Sequence, residues 1–175
     1  MHQTNLDATC SRHLRFRDLV ECGETWARLA GSVDNTPQQQ ASWEGLRRVA
    51  TEVLDPVVDR FGPIRLTYGF ASAALVRRIS GRIAPSLDQH SGAELNARGA
   101  PICSRLGQAV DFEVSGVGGL ALARWVIANT PFDRLYFYGD DRPIHVSVGP
   151  AESRAVVTML VGPSGRRIPR TVGSL

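Results

Sequence analysis

The 175-residue chain contains four histidines, and two of them, His2 and His13, stand in a polar N-terminal stretch, leaving His90 and His145 inside the body of the sequence. His90 lies in the polar run Asp88-Gln89-His90, where no apolar periodicity accounts for it. His145 falls between Ile144 and Val146 in a β-type run, so its side chain faces away from theirs. Asp111 interrupts the apolar run Ala109-Val110-Asp111-Phe112. A carboxylate in a strand that otherwise reads as buried needs a partner or a metal to offset its desolvation. Two neutral imidazoles and one carboxylate make a three-ligand set suited to catalytic zinc, with the fourth position open to water. Such a centre polarises a carbonyl and activates water near neutral pH. The same residues also fit a surface-loop histidine and a hydrogen-bonded strand aspartate.

These positions depend on the elements around them. Apolar residues Phe16, Leu19, Val20, Trp26 and Leu29 predict a helix over Phe16 to Leu29, stopped by Gly31. Thr36 as cap and Pro37 as first residue predict the start of a second helix. One face of it carries Trp43, Leu46, Val49, Ala50, Val53, Leu54 and Val57, and Pro56 is expected to kink or end it. A strand Ile64 to Tyr68, a helix Ser72 to Ile79 and a loop of about 25 residues, Gly81 to Arg105, follow, and loops of that length are usually functional or mobile. Val110 to Val114 reads as a strand and Leu120 to Ala128 as a helix. Strands Leu135 to Tyr138, Ile144 to Val148 and Ala155 to Val161 then form a late antiparallel meander, before a turn-rich basic tail from Gly162, read as a surface arm. The expected architecture is α+β: N-terminal helices packed on a small, mainly antiparallel sheet that carries the metal site.

Several segments resemble a known family when taken in order. Leu46 to Gly69 followed by Phe70-Ala71-Ser72 is similar to the helix, Pro break, strand and turn that open the M15 zinc D-Ala-D-Ala carboxypeptidase and dipeptidase superfamily, which includes phage endolysins and the Hedgehog signalling domain. Asp88-Gln89-His90 resembles its SQH element, Gly107 to Asp111 its GxAxD element, and Ile144-His145-Val146-Ser147 its closing HVS strand. The similarity spans about Trp43 to Gly149. It implies a zinc held by His90, Asp111 and His145.

The chain departs from that pattern in three places. His90 and Asp111 stand 21 positions apart, separated by an insertion, Ser91 to Arg105, and the family's own histidine position falls on Ser104 beside Cys103. Cys103 is therefore an alternative ligand, and equally a small residue tucked under a loop. The family's general base corresponds to Arg142; Asp140 and Asp141 lie just upstream and are the candidate catalytic acids, although a Gly139 to Pro143 hairpin turn explains them as well. Glu94 and Glu113 are reserves. The family's carbonyl-steadying arginine falls on Ala71, with Arg77, Arg78 and Arg105 as substitutes. Arg142, Gln89 and Tyr68 are the expected substrate-binding residues.

Composition sets the frame. Hydrophobic residues at 43% and charged residues at 21% are those of an ordinary globular protein and exclude wholesale disorder. All 20 basic residues are arginine, against 17 acids, and a net charge of +3 is too small and scattered to point to nucleic acid. Three widely spaced cysteines fit reduced thiols rather than a disulfide framework, and the polar, charged Met1 to Arg17 does not read as an export signal, so the expected address is cytoplasmic, with no membrane partner. The expected organisation is a helical extension over 1–40, a metallopeptidase-like domain over 41–161 and a basic tail over 162–175. The functional expectation is a zinc-dependent hydrolase acting on a small-molecule or peptide-like amide. The alternatives are a metal-binding tailoring enzyme with other chemistry and a non-catalytic module whose Arg166, Arg167 and Arg170 contact an acidic partner.

Overall fold

The computed structural model describes residues 5–29, 32–79, 84–162, 165 and 167–175, without the side chains of Pro85 and Arg167. Its architecture is α+β, with most of the helices preceding a six-stranded, largely antiparallel sheet.

The strongest periodic stretch of the sequence forms the central helix. Helix α3 (Gln40–Val49), a π-helical turn (Ala50–Leu54) and α4 (Asp55–Phe61) run on from one another, and all seven apolar positions from Trp43 to Val57 are buried. Pro56 neither ends nor breaks this run. The preceding turn is widened, with the Asp55 N–H bonding the Ala50 carbonyl five residues back, so proline enters at the first turn of α4, where its missing N–H is tolerated. Asp55 is itself buried and accepts from the Ser11 hydroxyl (2.8 Å) and the Arg12 N–H (3.0 Å), tying the N-terminal segment to this helix.

Other expected boundaries shift for identifiable reasons. The helix expected over Phe16 to Leu29 is two pieces, α1 (Phe16–Val20) and α2 (Glu24–Leu29), parted at Gly23, whose φ of 91° favours glycine and whose Cβ would stand 2.8 Å from the Thr67 carbonyl. Thr36 does not cap α3. The buried Glu94 carboxylate accepts from the N–H groups of Gln38 and Gln39 at that helix start (3.0 and 3.1 Å) and from the Ser42 hydroxyl. The helix after β1 (Ile64–Tyr68) is one turn, α5 (Ala73–Val76), capped by Ser72.

The sheet continues with β2 (Gln108–Val114), β3 (Arg134–Phe137), β4 (Ile144–Val148), β5 (Ala155–Val161) and β6 (Arg167–Val172), with α6 (Gly119–Asn129) between β2 and β3. Their order is β1-β2-β4-β3-β5-β6. The late strands are not a simple meander, because β5 runs parallel to β3. Nor is the tail a free arm: β6 pairs with β5 from Val156↔Val172 to Val161↔Arg167, and Val172 and Leu175 pack on the core. Arg170 is exposed on this strand, whereas Arg166 lies outside the described residues. One hydrophobic core joins Cys10, Phe16, Leu19 and Val20 to the α3–α4 face, to Val110 and Phe112 of β2 and to Ile144 and Val146 of β4. Each fully buried Leu, Val or Phe there contributes roughly 1.5–3 kcal/mol relative to exposure. No helix among the described residues is long and apolar enough to cross a membrane.

Candidate metal centre

Strand alternation turns the apolar residues of β2 and β4 to the core and their polar residues to the opposite face. On that face a single cross-strand row runs Tyr68, Asp111, His145, Tyr136 over β1, β2, β4 and β3. A register shift between Leu66 and Tyr68 brings Tyr68, rather than Thr67, opposite Asp111.

His90 comes to this row from the segment between α5 and β2. That segment is not an open loop. It holds two 3-10 turns, Pro85–Leu87 and Gln89–Ser91, and a bridge between Leu95 and Pro101. Asp88 caps the second turn by accepting from the His90 N–H (3.1 Å), and the His90 carbonyl accepts from the Ala71 N–H (2.9 Å). Two close backbone approaches complete the mounting: a Cβ on Gly69 would stand 2.0 Å from the Leu19 carbonyl, and one on Gly107 would stand 1.9 Å from the Val148 carbonyl. Only glycine fits either position.

The ring of His90 is fully buried, and its Nδ1 lies 2.7 Å from the Gly69 carbonyl. A carbonyl can only accept, so Nδ1 carries the proton and Nε2 presents a lone pair. Nε2 is 3.2 Å from His145 Nδ1 and 3.2 Å from Asp111 Oδ1, and His145 Nδ1 is 2.8 Å from the same oxygen. Three donor atoms therefore converge, and a neutral pair of imidazoles cannot satisfy all three contacts with one shared proton. A cation among them resolves the conflict. Ligands about 2.0–2.2 Å from a tetrahedral zinc are themselves separated by about 3.3–3.6 Å, a little more than the 2.8–3.2 Å here, so a small outward shift admits the ion. The residues thus fit a zinc ion: two nitrogens, one carboxylate oxygen and a backbone carbonyl fixing one histidine's tautomer. In the absence of a metal a proton relieves the same conflict. Burial works to lower His90 and to raise Asp111, but each is overruled by the other's charge, so His90 is held above the usual imidazole value and Asp111 well below the usual carboxylate range. Among the described residues, these three form the one group of His, Cys, Asp and Glu with this geometry.

A cleft of about 780 Å³ opens beside Asp111, lined among others by Tyr68, Asp141, Arg142, Cys22 and Trp26. Tyr68 also packs on His90, with ring centroids 4.0 Å apart. Burial first, and then the Asp88 and Asp111 carboxylates, raise its phenol, which stays protonated as a donor. Burial likewise pushes the Cys22 thiol up to about 12. Asp141 and Arg142 stand exposed at the cleft lip.

The other residues singled out from sequence lie elsewhere. Asp140 accepts from the Leu120 N–H (2.8 Å) at the start of α6. Gln89 points inward, donating to the Leu106 carbonyl and Asp133 and accepting from the Ser147 hydroxyl. Glu94 holds α3, and Glu113 pairs with Arg65 at 2.7 Å. Cys103 is buried but outside the ligand group. Sequence reasoning missed Tyr136, whose ring stands edge-on to His145 at 5.0 Å. The polar-aromatic alternation of Tyr136 and Tyr138 was the available signal, but only strand order places it beside β4.

Fold and site together define an α+β protein with a candidate His–Asp–His metal centre that meets a cleft through Asp111. The chain matches no family model, and no curated protein and no solved structure matches it.

Proposed function

We propose that this chain is a zinc-dependent hydrolase acting on an amide or peptide-like small substrate. The observation that carries the reading is the convergence of His90 Nε2, Asp111 Oδ1 and His145 Nδ1 at 2.8–3.2 Å beside an open cleft. Bound there, zinc supplies Lewis acidity, polarising a carbonyl and making water nucleophilic near neutral pH. Asp141 takes the proton, because it lines the cleft with no hydrogen-bond partner among the described residues, whereas Asp140 is engaged by α6. Tyr68 donates to the substrate from the opposite side, and Arg142 contacts it at the lip. Gln89 keeps its neighbour His90 in place rather than touching substrate. The resemblance to the M15 superfamily belongs to this proposal, supported by the meeting in space of the three residues that it singles out. A second reading keeps the metal and drops hydrolysis; it is favoured by Arg142 standing where the resemblance expects an acid.

Elemental analysis of protein purified without chelator tests the centre. One equivalent of zinc is expected in the wild type and loss of it in His90→Ala, Asp111→Ala and His145→Ala. A folded, metal-free wild type overturns the reading. With zinc present, amide hydrolysis lost in Asp141→Asn supports the hydrolase. Zinc without turnover of any amide screened favours the second reading.

A further inference from the structure

We propose that Arg105 is the receptor for a carboxylate group of the substrate, with Tyr136 as its positioning residue, on the side of the metal centre away from the Tyr68 cleft; where the substrate lies rests on the metal reading above. Arg105 is half-buried, and its Nη1 donates to the Leu87 carbonyl (3.1 Å) and to the Tyr136 phenol oxygen (3.2 Å). Leu87 directly precedes Asp88, the residue that caps the His90 turn, and Tyr136 is the direct cross-strand neighbour of His145. The guanidinium is thus fixed on the 3-10 turn just before His90 and on β3, the strand paired with the one that carries His145.

Among the described residues, its remaining donors have no protein partner. Among the described residues, no carboxylate lies within ion-pair distance of Arg105, whereas Arg12, Arg17, Arg48 and Arg65 each hold an acid. Nη1 carries both observed bonds, so the Nε–Nη2 edge has no partner among the described residues, and that edge is the planar fork that meets a carboxylate through two parallel hydrogen bonds. The phenol oxygen of Tyr136 already accepts from Arg105, so its own O–H is directed elsewhere and adds a further donor. A single guanidinium balances one negative charge, which selects a carboxylate over a phosphate dianion. A substrate with its amide at His145 places a carboxylate a few bonds away within reach of this fork.

Two hydroxamates and a metal-free titration test the assignment. Acetohydroxamate binds a metal alone, and succinic acid monohydroxamate adds a carboxylate. On zinc-loaded wild type the second is expected to bind about tenfold or more tighter. That preference is expected to disappear in Arg105→Gln, survive in part in Arg105→Lys, and weaken in Tyr136→Phe, while acetohydroxamate affinity stays unchanged in all three. Equal affinities in the wild type, or a preference that survives Arg105→Gln, overturn the proposal. In metal-free protein the Arg105 Nε–H resonance, identified by its loss in Arg105→Lys, is expected to shift on titration with succinate. No shift, or a response to inorganic phosphate alone, overturns the carboxylate assignment. A protein that takes up no zinc yet shows the succinate shift retains the anion receptor and loses the hydrolase, so the two readings fail separately.

Discussion

Two carboxylates beside the same sheet, Asp133 buried and Asp111 half-buried, have opposite surroundings. At Asp133, just before β3, every contact is a donor: the Ser153 N–H (2.9 Å) and hydroxyl (2.7 Å) reach Oδ1, and the Gln89 amide (3.1 Å) reaches Oδ2. At Asp111 the two neighbours within hydrogen-bond distance are imidazole nitrogens that also face each other, and at least one of them presents a lone pair. The first arrangement is complete as it stands and fixes the turn from β4 to β5. The second is complete only with a proton or a cation in its midst. Burial alone does not distinguish a lock from a site; what matters is whether the partners can donate.

The largest expected effect separates the two through zinc. Zinc at about a thousandfold above its dissociation constant is expected to raise wild-type stability by about 4 kcal/mol, measured by urea denaturation with and without the metal. Asp111→Asn abolishes that increment, and Asp133→Asn leaves it intact. An equal increment in both variants and the wild type would place the metal elsewhere.

Asp133→Ala is expected to cost about 3 kcal/mol whether or not zinc is present, because it strands the Ser153 and Gln89 donors in the interior, at about 1–3 kcal/mol for each unsatisfied group. A loss under 1 kcal/mol would deny the lock. The pH profile adds a smaller effect. Burial raises the Asp133 carboxyl, but the Ser153 and Gln89 hydrogen bonds and then Arg134 outweigh it and hold the group below the usual carboxylate range. The folded value lies below the about 3.9 of an unfolded chain, so this stabilisation is fully present above that pH and is lost as pH falls toward the folded value. In acid titrations of stability, Asp133→Asn is expected to flatten the limb below about pH 4. An unchanged limb would mean that other carboxylates carry it.

What the sequence revealed follows the range of the forces involved. The α3–α4 face was legible in full because helical periodicity is local: its apolar positions from Trp43 to Val57 are all buried. Asp111 and His145 were legible because each contradicts its own strand, and a contradiction within five residues needs no tertiary knowledge. Asp133 carried no comparable local signal, since its partners Gln89 and Ser153 lie 44 and 20 residues away. The tail was missed because β6 exists only through pairing with β5, and Pro169 within it reads as a breaker. Pro56 misled for a related reason: the π-turn that accommodates it is a property of the whole helix, not of the dipeptide.

The smallest expected effect concerns the two acids side by side at the β3–β4 turn. Asp140 accepts from Leu120 in the first turn of α6, and the Gly119 N–H bonds its carbonyl (2.8 Å), so both its side chain and its backbone hold the positive end of that helix. Its neighbour Asp141 has no such engagement and faces the cleft. Asp140→Ala is therefore expected to cost about 1 kcal/mol, in the range of a lost N-terminal cap, with zinc content and hydroxamate affinity unchanged. Asp141→Asn is expected to leave thermal unfolding unaltered. Should Asp140→Ala instead leave stability untouched and Asp141→Asn lower it, the roles of the pair are reversed and the proton acceptor of the proposed hydrolase is Asp140.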